Sequence, residues 1–196
     1  MDLLDMFFGA ASQLSGAALT NYIISQVLGI GVFAICLVIG QVNGFRTILI
    51  LKIIANVLQA ASMIFVNAYT GATVAALAAV ISVTVFVFRR KNVEIPKWFA
   101  PIAIAIYTVA TAGSFSKPTD LLPIIGGVLL VLSLVSKTTT GFRIFMLISA
   151  VMWIPYDIAV LAHANLLTHV GNFITYAVGI IRFDLIKRKK DNGADI

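Results

Sequence analysis

Long apolar runs recur along this chain of 196 residues, and they limit its fold more than any other feature. Several of them reach about 17 residues or more, which is enough for a helix to cross the hydrocarbon core of a bilayer. A helix satisfies its own backbone hydrogen bonds there, whereas an irregular segment does not. Only 11% of the residues are charged, compared with about a quarter in a soluble domain. The sequence therefore predicts an all-α membrane protein with no soluble domain large enough to fold alone.

We expect seven transmembrane helices, because seven apolar segments alternate with turn-forming residues. Breakers such as Asn43-Gly44, Thr70-Gly71 and Lys117-Pro118 separate them. The longest charged connection, 89–97, follows the third segment. The predicted spans are 22–41, 46–67, 70–88, 98–114, 120–136, 142–163 and 165–185.

The basic side chains predict the orientation of these spans. The connections after spans one, three and five and the C-terminus carry nearly all of them, whereas the opposite side has only Lys117. Basic loops stay in the cytoplasm, so we expect the N-terminus outside and the C-terminus inside, which requires an odd number of spans. The net charge of +6 then reflects membrane orientation, and we expect no nucleic-acid partner. The residues on the basic side are Arg46, Arg89, Arg90, Lys91, Lys97, Lys137, Arg143, Lys187, Arg188, Lys189 and Lys190.

A short sequence match predicts an internal duplication. Gly44-Phe45-Arg46 recurs as Gly141-Phe142-Arg143, and 141 − 44 gives an offset of 97. At that offset spans one to three align with spans five to seven, and span four is left over as an inverting helix. Such repeats are common in transporters, whose substrate site lies where the repeats meet. We therefore predict two parallel three-helix bundles joined by one inverting helix, a 3+1+3 arrangement.

This arrangement divides the chain into five predicted segments. A tail or interfacial helix (1–20), whose acids Asp2 and Asp5 are atypical of a signal peptide, precedes the first bundle (21–92). A linker with helix four (93–117), the second bundle (118–186) and a basic cytoplasmic tail (187–196) follow. The single cysteine, Cys36, excludes a disulfide framework and a cysteine-based metal site.

Span two carries a polar stripe. Lys52, Asn56, Gln59 and Met63 follow one another at spacings of four, three and four, so they share one helical face. Such a face avoids lipid. It is either a hydrogen-bonding seam between helices or part of a substrate or water path, to which Lys52 would add a charge unless its ammonium reaches the cytoplasm.

Span six carries the most unusual intramembrane residues. Trp153 lies near mid-membrane, where its ring either stacks on a substrate or packs structurally. Pro155 frees a backbone carbonyl and predicts a kink or hinge. Asp157 is the one acid well inside the apolar segments, and it either binds substrate, carries a coupling proton or makes a structural hydrogen bond. Its neighbour Tyr156 is a further substrate-binding candidate.

Span seven adds Asn172 and Tyr176 to the candidate substrate site. An Asn side chain both donates and accepts, which suits hydroxyl or amide groups, although a bond to a neighbouring backbone is equally compatible. His163 and His169 flank the short outer turn, and we interpret them as ordinary interface residues and a weak metal signal. We therefore expect no metal.

The chain contains no Walker A loop, no His-Glu-x-x-His motif and no Gly-x-Ser-x-Gly elbow. We therefore expect neither an enzyme nor a cofactor.

The residues resemble a known family. Leu121-Leu122-Pro123-Ile124-Ile125-Gly126, Trp153 and the sequence Ile180-Ile181-Arg182-Phe183 resemble the bacterial inner-membrane family YgjV. This resemblance implies a multi-pass protein of the bacterial cytoplasmic membrane. More distantly, the 3+1+3 plan resembles SWEET sugar uniporters and PnuC-type vitamin precursor transporters, which implies a central pocket at Trp153 and Asn172. It also implies a hinge at Pro123, where the first half has Gln26.

From these features we expect a facilitator or uniporter, either with or without proton coupling through Asp157, that moves a small polar metabolite by alternating access. The alternative is a membrane receptor or scaffold with a ligand pocket and no transport. A lipid bilayer and a small-molecule substrate are the expected partners, and a homo-oligomer is an open possibility.

Overall fold

Seven α-helices joined by short turns form the chain between Gly16 and Gly179. A computed structural model describes residues 11–42, 44–113 and 115–182. The helices are α1 (Gly16–Gln41), α2 (Phe45–Phe65), α3 (Tyr69–Arg90), α4 (Phe99–Ala112), α5 (Leu121–Val135), α6 (Thr139–Ala159) and α7 (His163–Gly179), with a 3-10 turn at Pro118–Asp120 before α5. Each predicted span corresponds to one helix, so the all-helical prediction is confirmed.

The first helix begins earlier than predicted. Helix α1 begins at Gly16, so residues 16–20 belong to this helix and not to the predicted N-terminal tail. The rest of that tail up to residue 10, and the predicted basic tail at 187–196, lie outside the described residues.

Six helices of the described part are long and apolar enough to cross a membrane. Helix α4 is shorter, with 14 residues, and reaches about 21 Å at 1.5 Å per residue. That is less than the roughly 30 Å of a bilayer core. The fourth helix is therefore shorter than the other six.

The six long helices surround a common interior. Each packs against two others, in the order α1, α2, α3, α5, α6, α7 and back to α1. Helix α4 packs on α3 and α5. Consecutive helices run in opposite directions within α1–α3 and within α5–α7, so their ends gather at two levels and the ring has two ends. We call the end with Phe45, Arg90 and Thr139 the arginine end, and the end with Tyr69 and His163 the histidine end.

Apolar side chains lie on the outside of the helix bundle and polar side chains in its interior, the reverse of a soluble protein. Large apolar side chains such as Val27, Val57 and Val109 face outward, at 62%, 54% and 74% exposure. The interior holds Lys52 and Asp157, which are nearly inaccessible. Polar groups are costly in hydrocarbon, so a membrane helix turns them toward protein or a cavity. The outward surface is therefore suited to lipid.

Helix bounds in the two halves of the ring correspond at an offset of 94. Both 139 − 45 and 159 − 65 give this value for α2 and α6, and 163 − 69 gives it for α3 and α7. This differs by three residues from the 97 of the Gly-Phe-Arg match, close to one helical turn. The offset of 97 predicts that Trp153 corresponds to Asn56 and Asn172 to Ala75. At the offset of 94 between the helix bounds, Trp153 corresponds to Gln59 and Asn172 to Ala78.

The turns at the histidine end have the same geometry at the same offset. Asn67 and Leu161 both have φ of 57°. The N–H of Ala68 donates to the Met63 carbonyl at 2.9 Å, and the N–H of Ala162 donates to the Asp157 carbonyl at 2.9 Å. A left-handed residue that closes a helix this way satisfies carbonyls of the last turn. Two different sequences thus make one type of tight helical turn.

Candidate functional site

A narrow polar cavity lies inside the ring of helices. The space open to the centre of a water molecule is about 20 Å³, which is enough for about one water. Five helices of the ring and Tyr107 of α4 line it. Its polar lining consists of Lys52, Asn56, Gln59, Tyr107, Ser149, Trp153, His169 and Asn172. The structure therefore places four of the predicted site residues, Asn56, Gln59, Trp153 and Asn172, on one cavity.

Asp157 and His169 form a buried pair beside this cavity. Asp157 Oδ2 lies 2.6 Å from His169 Nδ1, and the two side chains are 0% and 7% exposed. The other carboxyl oxygen, Oδ1, has no hydrogen-bond partner among the described residues. His169 therefore lies in the interior of the ring, in direct contact with an acid. The interpretation of His169 as an ordinary interface residue is therefore wrong.

His169 also connects the pair to the cavity wall. Its ring stacks on Trp153, with centroids 5.1 Å apart and planes at 11°. With Nδ1 bonded to Asp157, Nε2 can accept from Gln59 Nε2 at 3.4 Å. Residues from α2, α6 and α7 are thereby joined at one level of the ring.

Helix α5 fixes the position of Trp153 because it carries glycine there. A Cβ on Gly126 would lie 2.6 Å from Trp153 Nε1, so only glycine lets the indole approach this closely. One turn away, Ser149 Oγ donates to the Gly126 carbonyl at 2.9 Å. The Trp153 ring is thus held between α5 and His169.

Asn172 lies deeper in the ring than Asp157. Asp157 is two residues before the end of α6 at Ala159, and not two turns before it as the predicted span implied. The predicted spans 142–163 and 165–185 would place Asp157 and Asn172 at similar depth, but Asn172 is nine residues into α7, so that expectation is wrong. Asn172 lines the cavity, and its Oδ1 is buried without a partner among the described residues.

Tyr156 closes the cavity toward the histidine end. Its hydroxyl accepts a hydrogen bond from the Gly71 N–H at 3.0 Å, and its ring packs edge-on against Trp153 at 5.8 Å. A side chain on Gly71 would meet the Tyr156 ring at 3.0 Å. Tyr156 is therefore a contact between α6 and α3 across the ring rather than part of the cavity lining.

Tyr176 belongs to an aromatic cluster at the opposite end of the cavity. Phe142 packs edge-on against both Phe45, at 5.8 Å, and Tyr176, at 6.0 Å. The Arg89 guanidinium lies over the Phe45 ring at 5.0 Å. This cluster of Phe45, Phe142 and Tyr176 lies toward the arginine end of the ring, and none of its three members lines the cavity.

The two candidate hinge prolines occupy different positions. Pro155 lies inside α6, where its missing N–H leaves the helix one hydrogen bond short. Pro123 is the third residue of α5, and the first helical turn has no such bond to lose. Pro155 thus interrupts a helix beside the cavity, whereas Pro123 starts one.

A separate polar seam joins α1, α2 and α7 near the histidine end. Ser25 Oγ lies 3.0 Å from Ser62 Oγ, and Asn165 Nδ2 donates to Ser62 Oγ at 3.0 Å. Gln26 Oε1 accepts from the Ala164 N–H at 2.9 Å. These bonds form a hydrogen-bonding seam between helices, but none of them involves the polar stripe that was selected in span two.

Sequence reasoning missed His169 and Tyr107. His169 precedes Asn172 by three residues and so shares its helical face. This spacing could have indicated that His169 lies on the same cavity as Asn172. Nothing in the sequence indicates that Tyr107 of the short helix α4 reaches the cavity. Across the described residues, no group of three His, Cys, Asp or Glu side chains could hold a metal ion.

Comparison with known proteins gives one match. The model of the family Imp-YgjV, described as a bacterial inner membrane protein, matches residues 23–187. No curated protein and no solved structure matches the chain.

Proposed function

Because this chain belongs to the Imp-YgjV family of bacterial inner membrane proteins, we propose that it is a transporter that moves a small polar metabolite across that membrane by alternating access. The observation that carries this proposal is the cavity inside the helix ring, with polar side chains in its wall. A cavity between helices is the usual place for a ligand site in a bundle. The activity is a movement of solute rather than a reaction.

The symmetry of the ring supports a 3+1+3 plan. Pairing α1 with α5, α2 with α6 and α3 with α7 maps the ring order onto itself, and the helix bounds share the offset of 94. In this plan α4 inverts the chain, so both bundles have the same polarity. Two parallel repeats related by an axis along the membrane normal can rock about a site between them.

The two closed ends supply the gates that alternating access needs. The cluster of Phe45, Phe142 and Tyr176 closes the arginine end, and the bond between Tyr156 and Gly71 closes the histidine end. The present cavity holds about one water, so it corresponds to a closed state without substrate. Separation of either contact, helped by the interrupted helix at Pro155, would open the cavity to one side.

In this proposal the arginine end faces the cytoplasm. Arg46, Arg89 and Arg90 lie at that end, in accord with the cytoplasmic location of basic loops. The histidine end then faces the outside, next to the pair of Asp157 and His169. A proton that enters from the outside would meet this pair before the cavity, which is the order that proton coupling requires.

Loss of the cavity side chains should reduce transport. We expect Trp153→Ala to lower solute flux by about tenfold, since it removes the ring surface, and Asn172→Ala to do so by a similar factor of about ten through loss of a hydrogen bond. The measurement is flux of radiolabelled sugars, amino acids and hydroxy acids into proteoliposomes.

The matched control for this experiment is Ile106→Ala, a change of an outward side chain that is 54% exposed. It should retain full flux. Thermal unfolding in detergent checks that each variant is folded. Unchanged flux in both Trp153→Ala and Asn172→Ala would contradict the assigned site.

A further inference from the structure

Lys52 is a buried lysine without an acidic partner among the described residues. It lies two turns into α2, lines the cavity and is 4% exposed. The described residues contain three acids, and none of them pairs with Lys52. Glu94 is exposed in the connection before α4. Asp120 accepts the N–H groups of Ser116 and Lys117 at 2.8 and 2.9 Å.

The third acid, Asp157, is paired with His169. At the ring offset of 94 it lies opposite Met63 of α2, 11 residues after Lys52. That separation is about 16 Å along a helix, so Asp157 does not supply a counter-charge to Lys52. The cost of an isolated charge in low-dielectric surroundings is high. An anion in the cavity would supply the missing charge.

Lys52 is retained inside the ring and does not extend to the surface. Phe45 precedes it by two helical turns and contacts Phe142 at the arginine end. Lys52 and Asn172 both line the cavity. One ligand in this cavity could therefore contact both side chains.

Two amides beside Lys52 have unused hydrogen-bonding capacity. Asn172 Oδ1 is a buried acceptor without a partner among the described residues. Asn56 Nδ2 reaches its one acceptor, Ser82 Oγ, only at 3.5 Å, the far limit for a hydrogen bond. A ligand that satisfies all three groups would carry an anionic acceptor for Lys52 and Asn56 and a donor for Asn172.

We propose that the solute is a small monocarboxylate with a neighbouring hydroxyl or ammonium group, and that Lys52 binds its carboxylate while Asn172 accepts from the neighbouring group. This assignment rests on the proposed transport function and names its substrate class. A single Lys acts as a point charge, whereas phosphate recognition favours the paired donors of Arg. The lone lysine of the cavity wall therefore favours a carboxylate over a phosphate.

Thermal unfolding of the full chain in detergent tests the assignment. The probes are L-lactate, D-glycerate and L-alanine at millimolar concentration, with lactamide and glycerol as uncharged analogues. We expect at least one carboxylate to raise Tm and neither uncharged analogue to do so. In Lys52→Met this rise should vanish, because loss of a charged hydrogen bond lowers affinity by about 10- to 100-fold.

Two comparisons separate binding from folding. Lys52→Met without ligand should have a Tm at or above that of the unchanged protein, since it removes an unpaired buried charge. Lys91→Met, which removes an exposed cation, should keep the response to carboxylates. An equal response to lactamide or glycerol, a response that survives in Lys52→Met, or no response to any carboxylate would overturn the assignment.

Flux in proteoliposomes distinguishes this assignment from the transport proposal. Movement of the uncharged analogues that does not depend on Lys52 overturns the carboxylate assignment and supports transport. Lys52-dependent stabilisation by a carboxylate without any flux supports the carboxylate site and contradicts transport.

Discussion

Replacement of Asp157 by Asn is expected to abolish accumulation of solute against a gradient in proteoliposomes, while exchange of solute across the membrane continues. An amide cannot take up and release the proton that coupling requires. The oxygen of the new side chain can still accept from His169 Nδ1, which lies 2.6 Å from the carboxylate in the structure. The fold and the cavity should therefore be retained, and only the coupled step should be lost.

The measurement is uptake driven by an imposed pH gradient, followed by counterflow at equal pH on the two sides. The matched control is Asp120→Asn. Asp120 is also buried, at 5% exposure, but its carboxylate binds the backbone of the turn before α5 and not the cavity. Asp120→Asn should keep accumulation. Accumulation that persists in Asp157→Asn would show that Asp157 does not couple transport to protons.

Gly127→Ala is expected to destabilise the protein strongly. A Cβ at this position of α5 would overlap the ring of Tyr107 from α4. Tyr107 is 0% exposed, and its hydroxyl donates to the Val74 carbonyl at 2.8 Å. The ring therefore cannot withdraw without breaking a buried hydrogen bond. We expect a loss of at least about 3 kcal/mol in the free energy of unfolding, the upper part of the usual range for overpacking.

Thermal unfolding in detergent measures this loss, and Gly31→Ala is the control. The nearest atom to a Cβ at Gly31 is Leu58 Cδ1 at 3.9 Å, which is an ordinary contact. That variant should be neutral or stabilised by up to about 1 kcal/mol, since Ala favours a helix more than Gly does. Equal Tm values for the two variants would contradict the insertion of Tyr107 between α3 and α5.

The helices could be predicted from the sequence because the bilayer allows few alternatives for an apolar run. The polar stripe of Lys52, Asn56 and Gln59 was also readable, since a fixed helical period places residues three or four apart on one face. All three side chains line the cavity. Periodicity within one helix thus identified a cavity-facing surface without any knowledge of the neighbouring helices.

Contacts between helices were not predictable in the same way, because they depend on where each helix ends. The predicted sixth span continued to residue 163, whereas α6 ends at Ala159. That difference is about one turn, or roughly 6 Å of depth, and it hid the pairing of Asp157 with His169. Helix ends also decide which residues of the two halves correspond. The offset between the helix bounds is 94, three residues less than the 97 of the Gly-Phe-Arg match.

The size of the cavity depends on packing between helices, which no single helix encodes. Gly126 allows Trp153 to approach α5, and Gly127 allows Tyr107 to enter from α4. Both glycines were visible in the sequence, but the aromatic ring that each accommodates comes from another helix. The closed state of the cavity therefore becomes apparent only once the helices are assembled.

The central claim is that the cavity opens to each side of the membrane in turn, and accessibility of a cysteine in the cavity wall tests it most directly. Ala75 lines the cavity and is 2% exposed, and Cys36 is the chain's single cysteine. In Cys36→Ala/Ala75→Cys, a charged, membrane-impermeant thiol reagent is added to either face of oriented vesicles. Alternating access predicts labelling from both faces. Labelling from one face alone, or from neither, would contradict the account.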